Sequence, residues 1–231
     1  MFSGFPEETI RFFLDLRFHN ETAFFKEHER EYLEYVKKPF FDFIEAMGDT
    51  MLSISPELET RPAKCLARLH RDTRFTKDKS PYRDHLWLLF HRVGEPRDTS
   101  VMYWFELSPE NVHWGLGFWG QNRPAMDALR RRMIQKPQEV LGALRRSRLP
   151  QEDLPLLGER YLRMKPPDGM PVELAMLYPM KDLYVKRMNV PFQSCYHSEL
   201  VEMVQRDFLK LKPMYQLLRS VADEGMARLD P

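Results

Sequence analysis

At 231 residues the chain is long enough to bury a substantial core, as one large domain or two small ones. Its 43% hydrophobic and 13% aromatic content exclude a disordered chain, and no apolar run approaches the roughly 20 residues that cross a bilayer. The net charge of +1 argues against a broad nucleic-acid footprint, which requires a strongly basic surface.

The opening residues, Met1 to Glu8, lack the basic start and apolar stretch of a secretory signal. Cys65 and Cys195 are the only cysteines, and both sit in apolar surroundings. They read as buried free thiols rather than a disulfide, which places the chain in the cytoplasm. The first helix is predicted over Glu7–Arg17, where Ile10, Phe13, Leu14 and Phe18 recur at helical spacing. Asn20 is placed to cap a second helix from Glu21 to about Val36, with Phe25, His28 and Tyr32 facing inward. Lys38-Pro39 should end it, because the residue before proline resists the helical region. A third helix then runs from Pro39 to about Ile54.

The period now changes from 3.6 to 2. Lys64–Arg71, His85–Arg92, Ser100–Leu107 and Val112–Trp119 read as strands, the last two forming a hairpin. Pairing Leu107 with Val112 sets Phe105 against Trp114 and Tyr103 against Leu116, a consistent apolar face. The same register sets Glu106 beside His113, and Trp104 beside Gly115 with Gly117 next along, which would leave a shallow slot. Helices resume at Asn122, with Pro124 in the first turn, to about Gln135, and again from Pro137 to about Arg148. Beyond the rigid Lys165–Pro171 connector, a short helix near Pro171–Tyr178 and a short strand near Leu183–Lys186 follow. A final helix pair is predicted around Glu199–Leu211 and Pro213–Ala227. The expected fold is α+β, a central antiparallel sheet covered by N- and C-terminal helices. It forms a single domain over residues 1–231: a helical lead-in at 1–60, the sheet with a basic loop at 61–120, and a mainly helical remainder at 121–231.

Charge is unevenly spread along this order. Residues 1–60 carry 6 Lys/Arg against 13 Asp/Glu, and residues 61–92 carry 9 against 3. Residues 68–83 alone hold six cations (Arg68, Arg71, Arg74, Lys77, Lys79 and Arg83) and two acids (Asp72 and Asp78). An acidic lead-in docked on the basic middle is one reading of this contrast. An internal ion-pair network that ties the loop to the sheet is another. The third is an anion site: Arg68, Arg71, Arg74, Lys77 and Lys79 as contacts, Asp72 orienting the arginines, and Tyr82 or Phe75 as an aromatic wall. Glycine is absent from the segment, so it matches no phosphate loop. Asp72 or Asp78 as base, with His70 or His113 as acid, would be the catalytic set of a hydrolase or transferase acting on the same anion. His28 reads as a satisfied core histidine, and the scattered histidines and cysteines argue against a metal site or a resident cofactor.

The run from Arg68 to Tyr82 also has the form Arg-x-x-Arg-Asp-x-Arg-Phe-Ser/Thr-Lys-Asp-Lys-Ser-Pro-Tyr. With Asn20, Phe25, Tyr32, Gly115, Gly117, Trp119, Lys165-Pro166-Pro167 and Gly169, it makes the sequence resemble the domain-of-unknown-function family DUF2461 over nearly its full length. His19 and Phe24 depart from that pattern, which often has Asn and Trp there. The resemblance implies a single domain and carries no established activity. The reading is therefore a cytoplasmic protein that binds a small phosphate- or carboxylate-bearing ligand at the basic loop. Catalysis is left open, no membrane or nucleic acid is expected, and no protein partner is specified. The alternatives are an enzyme acting on such an anion, and a non-enzymatic interaction module in which the motif is structural.

Overall fold

The computed structural model describes residues 1–74, 76–97, 99–118, 120–149 and 153–228. Phe75 and Trp119, both singled out above, lie outside these residues. The elements in chain order are α1 Glu7–Phe18, α2 Thr22–Glu27, α3 Glu29–Glu31, a π-helical turn Tyr32–Lys37, α4 Lys38–Ile54 and α5 Pro62–Cys65. Then come β1 Leu86–Phe90, β2 Val101–Leu107, β3 Val112–Phe118, α6 Arg123–Gln135, α7 Pro137–Arg146 and β4 Leu156–Leu157. The chain finishes with α8 Val172–Leu177, β5 Tyr184–Lys186, a 3-10 turn Phe192–Tyr196 and α9 Leu200–Ala227. The five strands form one open sheet in the order β1-β2-β3-β5-β4, with helices at both ends of the chain. This is the expected α+β fold. No helix among the described residues is long and apolar enough to cross a membrane.

The chain forms two compact units that interleave in sequence. The first comprises Met1–Phe90, Trp104–Trp114 and Val190–Arg206. Its core is aromatic: Phe5 stacks on Phe105 at 5.9 Å, Phe43 lies 4.6 Å from Phe105, and Phe105 stacks on Trp114 at 6.4 Å. The last contact agrees with the predicted hairpin face, and Ser108 closes the turn by donating its N–H to the Asn111 carbonyl at 2.9 Å. Cys65 and Cys195 are both buried thiols that form no disulfide.

Two expectations fail here for identifiable reasons. Asn20 does not cap α2; the position before that helix is Glu21, which makes no side-chain cap. Pro39 does not break the chain either, because it falls in the first turn of α4, where a missing N–H costs little. The carbonyl one α-turn earlier, Tyr35, accepts instead from the buried Thr9 hydroxyl of α1. The π-turn and this borrowed donor let the helical path run on from Glu29 to Ile54.

The second unit comprises His91–Tyr103, Gly115–Asn189 and Asp207–Pro231. Asn122 caps α6 as predicted, accepting from the Ala125 N–H at 3.1 Å. β3 pairs antiparallel with β5, Leu116 facing Val185 and Gly117 facing Tyr184. A Cβ on Gly117 would stand 2.4 Å from the Tyr184 Cβ, so the close neighbour strand occupies the space that the sequence suggested as a slot. Tyr103 packs on Phe208 at 4.6 Å and donates to its carbonyl. The predicted C-terminal helix pair is one continuous helix with Pro213 inside it. Just past the proline, the Met214 N–H donates to the buried Ser147 hydroxyl at 3.0 Å.

Candidate functional site

The basic segment folds as a loose hairpin leading into β1, within the first unit. Its two arms are extended and antiparallel. The Ala67 N–H donates to the Trp87 carbonyl (2.9 Å), Arg83 to Leu69 (2.9 Å), and Arg71 to Pro81 (2.8 Å). Bridges Leu66–Leu88 and His70–Tyr82 mark the register. The strand predicted over Lys64–Arg71 is therefore only partly realised: Pro62 starts the short α5, and the arm that follows pairs through isolated bridges.

Asn20 anchors the root. Its amide donates to the Tyr82 carbonyl at 3.0 Å and accepts the Tyr82 N–H at 2.9 Å. Tyr82 is 2% exposed and stacks on Phe25 at 4.5 Å, with the His70 ring 4.7 Å away. It supports the loop from below and does not form an exposed wall. His19 and Phe24, the two departures from the family pattern, stack on each other at 5.4 Å, and Phe24 stacks on His28 at 4.1 Å.

The tip ties to itself. Asp72 accepts two bonds from the Arg74 guanidinium (2.9 and 2.7 Å) and one from its backbone N–H (3.2 Å). Asp78 accepts the Ser80 N–H at 2.9 Å and pairs with Arg71. Lys79 donates to the Thr73 carbonyl at 2.7 Å. The Arg74 bonds hold the Asp72 carboxyl at about 2, and bonds from Ser80, then Arg71, hold Asp78 at about 2. Carboxylates that acidic are poor proton acceptors at neutral pH. Among the described residues neither aspartate hydrogen-bonds a histidine, and no hydrogen bond joins Glu106 to His113.

Sequence reasoning missed the roles of two groups. Arg83 donates to the carbonyls of Arg68 (3.0 Å) and His70 while lying 4.8 Å over the Trp87 ring. Burial, then the nearby Arg71 charge, push its guanidinium down from its usual value. The signal was available in the spacing, since Arg83 and Trp87 flank the entry to β1 by four residues. Arg17 reaches from α1 to Asp84 (2.5 Å) and to both Glu110 oxygens (2.5 and 3.1 Å). The acidic lead-in and the basic middle are linked in both directions, Glu59 pairing with Arg61 and Arg17 with Asp84. Among the described residues no carboxylate of residues 1–54 pairs with a cation of residues 68–83. Arg68, Lys77, Lys79 and Arg83 form no ion pair within 4 Å among those residues, although Asp72 lies near enough to Arg83 to act on its charge. No group of three or more His, Cys, Asp and Glu suited to a metal ion occurs among them.

An α+β chain with an exposed, self-braced basic hairpin ahead of its first strand is thus the class defined by fold and site. The chain belongs to the DUF2461 family of conserved hypothetical proteins, whose model matches residues 8–217. No curated protein matches it, and no solved structure does.

Proposed function

We propose that the hairpin tip binds a small anion bearing phosphate or carboxylate groups. The observation that carries this reading is the charge left after the loop's internal pairing: two aspartates pair with Arg71 and Arg74, and Arg68, Lys77, Lys79 and Arg83 form no ion pair within 4 Å among the described residues. The Arg74–Asp72 pair is open to water, Arg74 being 76% exposed, so an incoming anion competes with it at little cost. The Arg68 and Lys77 side chains are exposed and make no hydrogen bond or ion pair among the described residues, which makes them the first contacts. Arg71, Arg74, Lys79 and Arg83 follow, held in place by Asp72, Asp78 and backbone carbonyls.

The test is a melting-temperature titration of the full chain with phosphate, pyrophosphate and citrate, beside Arg68→Ala/Lys77→Ala. An anion at a hundred times its dissociation constant raises stability by about 2.7 kcal/mol, several degrees in Tm. The double variant should melt like the wild type without ligand and lose at least half of that shift. Equal shifts in both proteins, or none in either, would refute the reading. The self-tied tip favours one alternative, an interaction module in which the motif only shapes the loop. In that case Arg71→Ala and Asp72→Ala lower the unliganded Tm, and no anion restores it.

A further inference from the structure

In the second unit, the stretch after β4 forms a second feature that the loop does not explain. Residues 159–161 run antiparallel to 179–181: the Tyr161 N–H donates to the Pro179 carbonyl (2.8 Å), and the Lys181 N–H to the Glu159 carbonyl (2.8 Å). Gly158 allows this pairing, since a Cβ there would stand 2.3 Å from the Asp182 carbonyl oxygen. The chain then turns outward, and Arg160, Tyr161, Leu162, Arg163, Met164 and Lys181 line a concavity of about 570 Å³.

Its composition is unusual for a solvent-facing turn. Leu162 is 101% exposed and stands between two arginines. Tyr161 is fixed by cations, with the buried Arg130 guanidinium 5.5 Å and the Lys181 ammonium 5.6 Å from its ring centre. Arg130 is itself locked to the Tyr178 and Met180 carbonyls and to Asp127, so this wall is preformed. Among the described residues the one carboxylate pairing at the rim is Glu159 with Lys181, at 3.2 Å. Arg160 and Arg163 make no side-chain hydrogen bond or ion pair among the described residues. The apolar side chains of Tyr161, Leu162 and Met164 beside guanidinium groups that form no ion pair among the described residues match a ligand with an apolar body and an anionic head.

We propose that this concavity binds a small amphipathic anion taken from solution: an aromatic or short acyl body ending in a carboxylate, sulfonate or phosphate. The site is separate in sequence from the hairpin tip and does not rest on the reading given to it.

The experiment is a fluorescence titration of the full chain with anilinonaphthalene sulfonate, an aromatic sulfonate whose emission rises in apolar surroundings. Wild type should saturate at one equivalent, with decanoate displacing the dye and decanol failing to do so. Leu162→Glu and Arg163→Glu change exposed side chains, so they should keep the wild-type Tm while weakening dye binding at least tenfold. Arg68→Ala/Lys77→Ala should bind the dye as wild type does. Unchanged binding in the Leu162 and Arg163 variants, loss in the hairpin variant, or equal displacement by decanol would each overturn the proposal. So would dye-independent flotation with phosphatidylserine vesicles that Leu162→Glu abolishes, since the face would then be a membrane contact.

Discussion

Asn20 shows how one side chain can matter more than the charges around it. Its amide closes two hydrogen bonds on Tyr82, one in each direction, and so fixes the arm from which Arg83 and β1 follow. Asn20→Ala leaves both Tyr82 backbone groups unpaired and should cost about 1–3 kcal/mol, measured by chemical denaturation. Glu59 carries the clearest acid dependence. It is 5% exposed, and side-chain hydrogen bonds from Arg61 hold its carboxyl at about 2. The folded value lies below the unfolded one, so the stabilisation is complete above about pH 4.5 and is lost as pH falls through about 2. With Arg61 itself largely in water, the contribution is on the order of 2 kcal/mol. Glu59→Gln should therefore lower the Tm at pH 7, and its difference from wild type should close by pH 2.

At the scale of elements, strands and helix starts were legible because they rest on local chemistry. Alternation in Val101–Leu107 and Val112–Phe118 found β2 and β3, and Asn122 with Pro124 found the start of α6. The failures share one cause: a distant group satisfied what the local sequence left open. Thr9 of α1 supplies the donor that Pro39 cannot, and the period alone cannot reveal a partner 26 positions away. Thr9→Val should cost about 1–3 kcal/mol by leaving the Tyr35 carbonyl unpaired. In a Pro39→Ala background the new N–H can reach that carbonyl, so the cost of Thr9→Val should fall. A double-mutant cycle of denaturation free energies measures the difference.

For the whole molecule, the charge count picked out the basic hairpin but not the direction of each ion pair around it. The −7 of residues 1–60 suggested an acidic lead-in docked on the basic middle; within the first unit Glu59 does pair with Arg61, while Arg17 runs the other way, to Asp84 and Glu110. The loop's cations were legible residue by residue, and their mutual arrangement was not. Which aspartate takes which arginine depends on where the turn at 72–80 places backbone donors. The concavity at 160–164 was invisible for a related reason. Arg160, Leu162 and Arg163 look like any exposed stretch until Gly158 lets the chain press against Asp182 and turn them outward.

The hydroxyl of Ser147 at the Met214 amide makes the middle of the longest helix depend on a side chain some 67 positions earlier in the chain. A nascent chain in which residues 137–147 have not yet folded lacks that acceptor, and Pro213 then divides the segment. It would carry two short helices, each near the length at which an isolated helix is marginal. The helix pair suggested by periodicity is thus what the segment would form without its distant acceptor, and the unbroken helix is a property of the packed protein.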